Sequence, residues 1–467
     1  VQLGQELEII GENISLQGDG IARPQGITCF VPGLLPGEKA RVKITQVKKN
    51  YLRAQVIERK SAAPERVEPR CSSFGLCGGC QFQMLDYASQ LALKRQAVVD
   101  ALQRLAHLHD VDVQPVQGMD HPWRYRNRVQ LHFQASQQGW RLGHYQAGSR
   151  QVVENDDCPL LPIPLTEVIT ELRGQLAKHD PECRWPLTHA VIKSVRTNAR
   201  TGNEAAAGEK KADAGIELML IIVVSKATAD LRERWAAIAD AMIERNPLLT
   251  SVVLNLNPHS NGEVLGRRYL NTWGKKRLVE HTAARLQLEV GAASFQQVNP
   301  TQADVLLQVI GAACALTGSE TVIDAYCGVG AISLYLAQRA KAVVGIEEVA
   351  PAVDDARRNA LINACTNATF HVAAVEEMLP NYIKEGKACD VLVLDPPRRG
   401  CDPRVIDAIA EAEIQRIVYV SCDPASMARD VGRLVVAGYR VGSVQPVDMF
   451  PQTGHVETVV LMSRVEK

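Results

Sequence analysis

Residues 321–347 read TVIDAYCGVGAISLYLAQRAKAVVGIE, and this stretch decides the fold. A short apolar strand, TVIDAYC, runs into the turn Gly328-x-Gly330. A helix-forming segment, AISLYLAQRA, follows, and a second apolar strand ends on Glu347. Parallel neighbours need a crossover, so strand, tight turn, helix and strand open a doubly wound sheet. The alternation continues through helix PAVDDARRNALINA, strands ATFHVA and DVLVLDPP, helix PRVIDAIAEA, strand RIVYVSC, helix MARDVGRLVVAG and a closing strand pair. The pattern predicts an α/β, Rossmann-like domain over residues 291–467, with ligands at the carboxyl ends of its strands.

The chemistry collects at those ends. Gly328 and Gly330 let a backbone turn approach a cofactor closely, and Glu347, nineteen residues beyond Gly328, is placed to hydrogen-bond ribose hydroxyls. Ser333 stands where a dinucleotide fingerprint needs its third glycine, and there is no second nucleotide half, which tilts the reading toward S-adenosylmethionine. A turn needed only for packing is the alternative. Asp395-Pro396-Pro397 holds a carboxylate in an extended loop, suited to orienting an amino group or a planar base. Arg398 and Arg399 suit either phosphates or a solvated helix start, and are left outside the expected site. Cys422 tips the strand IVYVSC just ahead of a helix, where a thiol pKa falls below the free value of about 8.5, making it a candidate nucleophile. Glu457 in GHVETVVLM begins a mostly apolar strand near the same sheet end, a candidate general base.

Outward from this domain, residues 1–62 alternate short β-rich runs with Gly and Pro turns, as a five-stranded OB-like barrel would. Arg41, Lys43, Lys48, Lys49, Arg53, Arg59 and Lys60 face only Glu58 within residues 41–60, a stripe that suits a polyanion or simply solvates strand edges. Residues 63–290 read as a mixed α+β domain, with an amphipathic helix in residues 86–108 and a low-complexity hairpin insertion at 199–215. Within it, residues 121–150 carry five arginines and no acid, interleaved with Trp123, Tyr125, Phe133, Trp140 and Tyr145. That mixture suits single-stranded RNA, although about half of it fits a sheet with an aromatic core and solvated arginines.

The 467 residues include twelve cysteines, too dilute for a disulfide scaffold. Cys71, Cys77 and Cys80 fall within ten residues, with Cys158 later, and four such thiolates suit a [4Fe-4S] cluster or a zinc ion. Net charge is zero, with 52 basic and 52 acidic side chains, which excludes a histone-like tail. The longest apolar run is Leu218 to Val224, far short of the roughly 20 residues of a membrane span. Without a basic segment leading into an apolar core at VQLGQELEII, the expected location is the cytoplasm, with no membrane and no obligatory protein partner.

Gln297-Val298-Asn299, Tyr326-Cys-Gly-x-Gly, Asp395-Pro-Pro-Arg, Ser421-Cys422-Asp-Pro and His455-x-Glu457 together resemble the RNA uridine-5-methyltransferase family, over almost the whole chain. The N-terminal segment resembles a TRAM domain. The Cys71, Cys77, Cys80, Cys158 pattern resembles the iron-sulfur site of the 23S ribosomal RNA branch, which the tRNA branch typically lacks. The resemblance implies S-adenosylmethionine and a [4Fe-4S] cluster as cofactors, Cys422 as nucleophile and Glu457 as base. It places Gln297, Tyr326, Gly328, Gly330, Glu347 and Asp395 around the methyl donor and uracil. Ala331 and Ala374 depart from the pattern, standing where a polar side chain often meets the donor. A tRNA enzyme, or an RNA-binding assembly factor that has lost catalysis, is the alternative reading.

Overall fold

The computed structural model describes residues 1–198, 215–259, 262–412 and 414–465, built around three large sheets. The 199–215 hairpin expectation falls, except for Gly215, outside the described residues. Six strands, not five, form the N-terminal sheet, ordered Glu6–Ile10, Lys39–Val47, Leu52–Arg59, Cys29–Pro32, Asp19–Ala22, Asn13–Ile14. The two-residue last strand is too short to show as an alternation. Val31, Val42, Ile44 and Leu52 fill its core. Its basic stripe is partly neutralised by acids distant in sequence: Arg41 meets Glu6 and Glu58, Arg53 meets Asp19, Arg59 meets Glu38 and Lys60 meets Glu8. Among the described residues, Lys43, Lys48 and Lys49 are the stripe residues with no such partner.

The central sheet has seven strands, with Leu187–Arg196 between Ile216–Val224 and Arg128–Ser136. Helices Ile163–His179 and Leu231–Arg245 cover one face, burying Val129, Leu131, Leu142, Trp235 and Leu220. Before it lies the helix Tyr87–Leu105, capped by Asp86, whose carboxylate accepts from Ser89 N.

The third sheet is ordered Ala368–Val372, Ala342–Glu347, Thr321–Ala325, Val391–Leu394, Arg416–Ser421, Glu457–Arg464, Tyr439–Val447. Its first five strands are parallel, and Glu457–Arg464 inserts antiparallel beside Arg416–Ser421. The reversed strand brings Glu457 to the edge that carries Cys422. A crossover helix, Val375–Lys384, lies between strands the sequence pattern joined directly, hidden because Pro380 sits inside it. The helix that leads into Thr321–Ala325, Pro300–Cys314, is opened by Asn299 as N-cap with Pro300 in the first turn.

The segment 448–456, just before Glu457, is the point where the parts of the chain meet. Lys94 Nζ donates to Asp448 Oδ1 at 2.5 Å and to the Phe450 carbonyl at 3.0 Å, with both charged side chains at 0% exposure. Tyr87 OH donates to Asp448 Oδ2 (2.8 Å) and Tyr125 OH to the Pro451 carbonyl (2.9 Å). Gln302 reaches the Asp448 carbonyl and Asn299 the Met449 carbonyl. From the cysteine-bearing loop, Gln81 N and Phe82 N both donate to the Gln452 carbonyl. Gly454 lies flat on the N-terminal sheet, since a Cβ there would run into the Leu16 carbonyl oxygen.

Removing one partner of a buried pair leaves an uncompensated charge, so Lys94→Met should cost about 3–5 kcal/mol in urea unfolding. Adding Asp448→Asn should recover part of that loss. Equal instability of the single and double variants would show that the charge pairing is not what matters at Lys94.

Candidate active site

The turn after strand Thr321–Ala325 is built by backbone geometry. Tyr326, at φ 70°, and Gly328 and Gly330, at 55° and 84°, all take left-handed conformations. Tyr326 N and Cys327 N donate to the Ile346 carbonyl, which ties the turn to the next strand. Glu347 Oε2 accepts from Gly328 N at 3.1 Å and Oε1 from Val349 N at 2.9 Å, so the carboxylate is fixed against the turn with lone pairs to spare. Among the described residues, nothing occupies the space beside Gly328 where a side chain would project. Beneath, fully buried Asp324 accepts from Ser333 Oγ, while its Oδ1 has no partner. Burial first, then Asp395 and Glu347, push Asp324 up to about 7.

Across the sheet edge the structure brings Cys422, Glu457 and Asp395 together. Burial pushes Glu457 up to about 8, with Asp395 adding to the rise and Arg398 opposing it. Asp395 is raised to about 6 by burial. The Cys422 thiol moves opposite to the sequence expectation, up to about 11, through burial and then the neighbouring Glu457 carboxyl, with Arg398 opposing. The reason is local: Asp423, not Cys422, caps helix Pro424–Val436, its carboxylate accepting from Ser426 N. Arg398, left outside the expected site, is the cation that favours the ionised form of both groups.

Its loop is held from behind. Asp430, fully buried, accepts from Cys401 N (2.8 Å) and Tyr419 OH (2.7 Å), and Arg429 pairs with Asp430 and donates to the Arg399 carbonyl. On the other side, Lys193 Nζ donates to the carbonyls of Gly291 (2.9 Å) and Ser294 (2.7 Å), fixing the segment that leads to Gln297. Gln297 is half-buried, and its carboxamide has no partner among the described residues. The departures at Ala331 and Ala374 leave backbone at those points. Glu376, two residues beyond Ala374, is close enough to Tyr326 to help raise its hydroxyl.

The four cysteines Cys71, Cys77, Cys80 and Cys158 converge in a separate place. Burial raises Cys80 to about 12, and the other three each add to the rise. Asn155 Nδ2 donates to Cys71 Sγ at 3.1 Å and Gly79 N to Cys77 Sγ at 3.4 Å. Among the described residues, no group of three or more His, Cys, Asp or Glu side chains is arranged to hold a single metal ion. In the stretch 121–150, Phe133 and Trp140 pack against the central core and Tyr125 is buried. Arg124 and Arg141 pair with Asp157 and Glu154, whereas Arg126, Arg128 and Arg150 have no acidic partner among the described residues.

Residues 277–465 match the family model described as tRNA (Uracil-5-)-methyltransferase, and residues 1–57 match the TRAM domain. An RNA methyltransferase of Bacillus cereus is 37% identical, the match covering all of this chain and 98% of that one. One of Listeria monocytogenes is 38% identical, over 98% and 97% of the two chains. Among solved structures, the tRNA (uracil-54, C5)-methyltransferase of Pyrococcus abyssi, in complex with S-adenosyl-L-homocysteine, aligns with a TM-score of 0.73 at 25% identity, over 98% of this chain and 100% of that one.

A carboxyl whose folded pKa of about 8 exceeds its ordinary 4.5 stabilises the fold fully only below the lower value, and that stability is lost as pH rises through the higher. Glu457→Gln should therefore raise the thermal midpoint over the native protein at about pH 9 and narrow that gain at about pH 5. A gain independent of pH would show that Glu457 is not buried in its protonated form.

Proposed function

This chain belongs to the S-adenosylmethionine-dependent RNA uracil-5-methyltransferase family, and on that premise we propose that it methylates carbon 5 of a uridine in 23S ribosomal RNA through a covalent adduct on Cys422. The observation that carries this reading is the meeting of Cys422, Glu457, Asp395 and Arg398 at the sheet edge beside the Gly328–Gly330 turn. Carbon 5 of uracil is a poor nucleophile until something adds to the ring. The Cys422 thiol first loses its proton to solvent, the resulting thiolate adds to carbon 6, and the electrons displaced from the ring double bond reside on the carbon 4 oxygen as an enolate. Asp395 and Gln297, both with free hydrogen-bonding capacity, hold the base, which has to leave its stack to reach them.

S-adenosylmethionine supplies the electrophilic methyl group. The donor's fit rests on acidic groups: burial holds the carboxyls of Asp324, Asp395 and Glu457 above the ordinary range at this edge, and a bound sulfonium would favour their ionised forms. Glu347 would take the ribose hydroxyls, with Tyr326, Gly328 and Gly330 shaping the wall. Once carbon 5 carries the methyl group, the Glu457 carboxylate takes the carbon 5 proton. The carbon 6 to sulfur bond breaks, and thiolate leaves. Arg398 lowers the cost of both anions involved, the attacking thiolate and the proton-accepting carboxylate.

For Cys71, Cys77, Cys80 and Cys158 the proposed occupant is a [4Fe-4S] cluster with a structural role. Each cysteine of such a cluster binds a different iron, so the thiols stand further apart than around one ion. What supports the reading is that the four thiols neighbour one another and that two of the sulfurs take N–H donors. A second reading, a tRNA uridine, rests on the Pyrococcus abyssi relative, which matches along the whole chain. The three-part architecture alone therefore does not separate the two RNAs.

Mass mapping of ribosomal and transfer RNA from cells lacking this protein should reveal a 5-methyluridine lost from 23S ribosomal RNA; a loss confined to tRNA selects the second reading. In vitro, Cys422→Ala should abolish turnover and any covalent RNA adduct while donor binding survives. Glu457→Gln should leave a methyl-labelled protein–RNA band on a denaturing gel, and native-rate turnover by this variant would remove Glu457 as the base. Anaerobically purified protein should be brown, with about four irons and four sulfides per chain; zinc alone would refute the cluster.

A further inference from the structure

Strand alternation divides Arg128–Ser136 between two faces: Val129, Leu131 and Phe133 enter the core under the helices, and Arg128, Gln130 and His132 point the other way. On the neighbouring strand His189 stands opposite His132 and Lys193 opposite Arg128. The result is an aromatic step on the side away from the helices. The Tyr145 ring stacks on His132, with centroids 3.6 Å apart and planes 14° from parallel, and His189 lies against His132 at 4.7 Å. Contact with one another places these rings, because the buried Nδ1 atoms of both histidines have no hydrogen-bond partner. Tyr145 remains 36% exposed and forms one wall of a cleft of about 700 Å³ that reaches Gly78 and Arg150.

The surroundings complete a ligand site. Gln130 offers a carboxamide with no partner among the described residues, and Arg126, Arg128 and Arg150 lack acidic partners. Burial keeps His132 and His189 below the ordinary histidine range, so both rings are neutral near pH 7, and Tyr145, stacked on His132, presents the exposed ring of the step. The face is continuous with the active site. Arg126 lies close enough to His455 to depress its pKa, and Lys193, paired across from Arg128, holds the segment leading to Gln297. From Arg128 to His132 the strand advances about 13 Å, a span a single strand of RNA covers in a few nucleotides.

We propose that the Tyr145–His132–His189 step is a base-binding subsite that receives one unstacked nucleotide a few positions from the target uridine, with Gln130 at the base edge and Arg126 and Arg128 on the phosphates. The inference rests on the reading of RNA as substrate and adds to it a determinant of which sequence context is accepted. Stacking of a base on an aromatic side chain tolerates every base, so sequence preference at this position comes from Gln130.

The test uses the full-length protein and a single-stranded oligoadenylate bearing one central uridine, with 2-aminopurine replacing one adenosine at a time. Native protein should quench 2-aminopurine at one offset from the uridine. Tyr145→Ala should abolish that quenching and raise the oligonucleotide Kd roughly five- to a hundredfold, while Tyr145→Phe restores both. S-adenosylmethionine binding and the thermal midpoint should keep their native values, which separates loss of the subsite from loss of fold. Quenching that persists in Tyr145→Ala, or that is absent at every offset while the oligonucleotide binds, overturns the proposal. Quenching at one offset by a native protein that methylates no RNA supports this subsite and refutes the uracil-5 reading, so the two fail separately.

Discussion

Lys94 and Asp448 meet where no water reaches either of them, and the segment from Asp448 to Val456 cannot shift without uncovering a charge. Several kcal/mol of desolvation stand behind each ion, so this contact has one acceptable geometry rather than a range of them. Everything that defines the site hangs from that segment. Its carbonyls take donors from the helix Tyr87–Leu105, from the cysteine loop, from Tyr125 and from the start of helix Pro300–Cys314, and its last residues deliver Glu457 to the sheet edge. The precision of a general base on a strand end is thus inherited from a polar knot at the junction of three sheets. A rigid support of this kind is what a methyl transfer between two bound partners requires, since small displacements of a reacting group cost large factors in rate.

The electrostatics of the edge follow from the same enclosure. Glu457, Asp395 and Asp324 are acids held partly in their neutral forms by desolvation, and Arg398 opposes that shift at Glu457. Such a site is poised rather than preionised. With its pKa pushed up to about 11 by burial and then by Glu457, Cys422 rests as a thiol rather than a thiolate.

Much of this was legible in the sequence, and what was hidden was hidden for physical reasons. Short apolar strands, the Gly328–Gly330 turn and Glu347 read directly because turn chemistry and strand length are local properties. The helix Val375–Lys384 escaped because an interior proline is ordinarily a helix breaker. Lys94 and Lys193 gave no signal: each looks like a solvated lysine on an amphipathic element, and only tertiary structure shows that its ammonium is enclosed among oxygens. The thiol pKa was misjudged because a helix start was visible while the burial of the thiol, and then a carboxyl 35 residues away on a strand whose direction the sequence does not state, were not. The basic stripe of the N-terminal sheet looked stronger than it is, since its acidic partners sit on strands paired across the barrel.

The Lys94–Asp448 contact also bears on how the chain is made. The two residues are separated by 354 positions. At ribosomal rates of about 5–20 residues per second, Lys94 emerges roughly 20 to 70 s before its counter-ion exists. During that interval the helix that carries it has an apolar face ready to pack and an ammonium that forbids full packing. The N-terminal sheet and the central sheet each have a core of their own and can form on the ribosome as they appear, but the junction between them stays wet until the C-terminal strands are released. A premature closure that would bury the cysteine loop before the counter-ion exists is therefore disfavoured by charge, and the segment 448–456, made long after Lys94, is the one that locks the assembly.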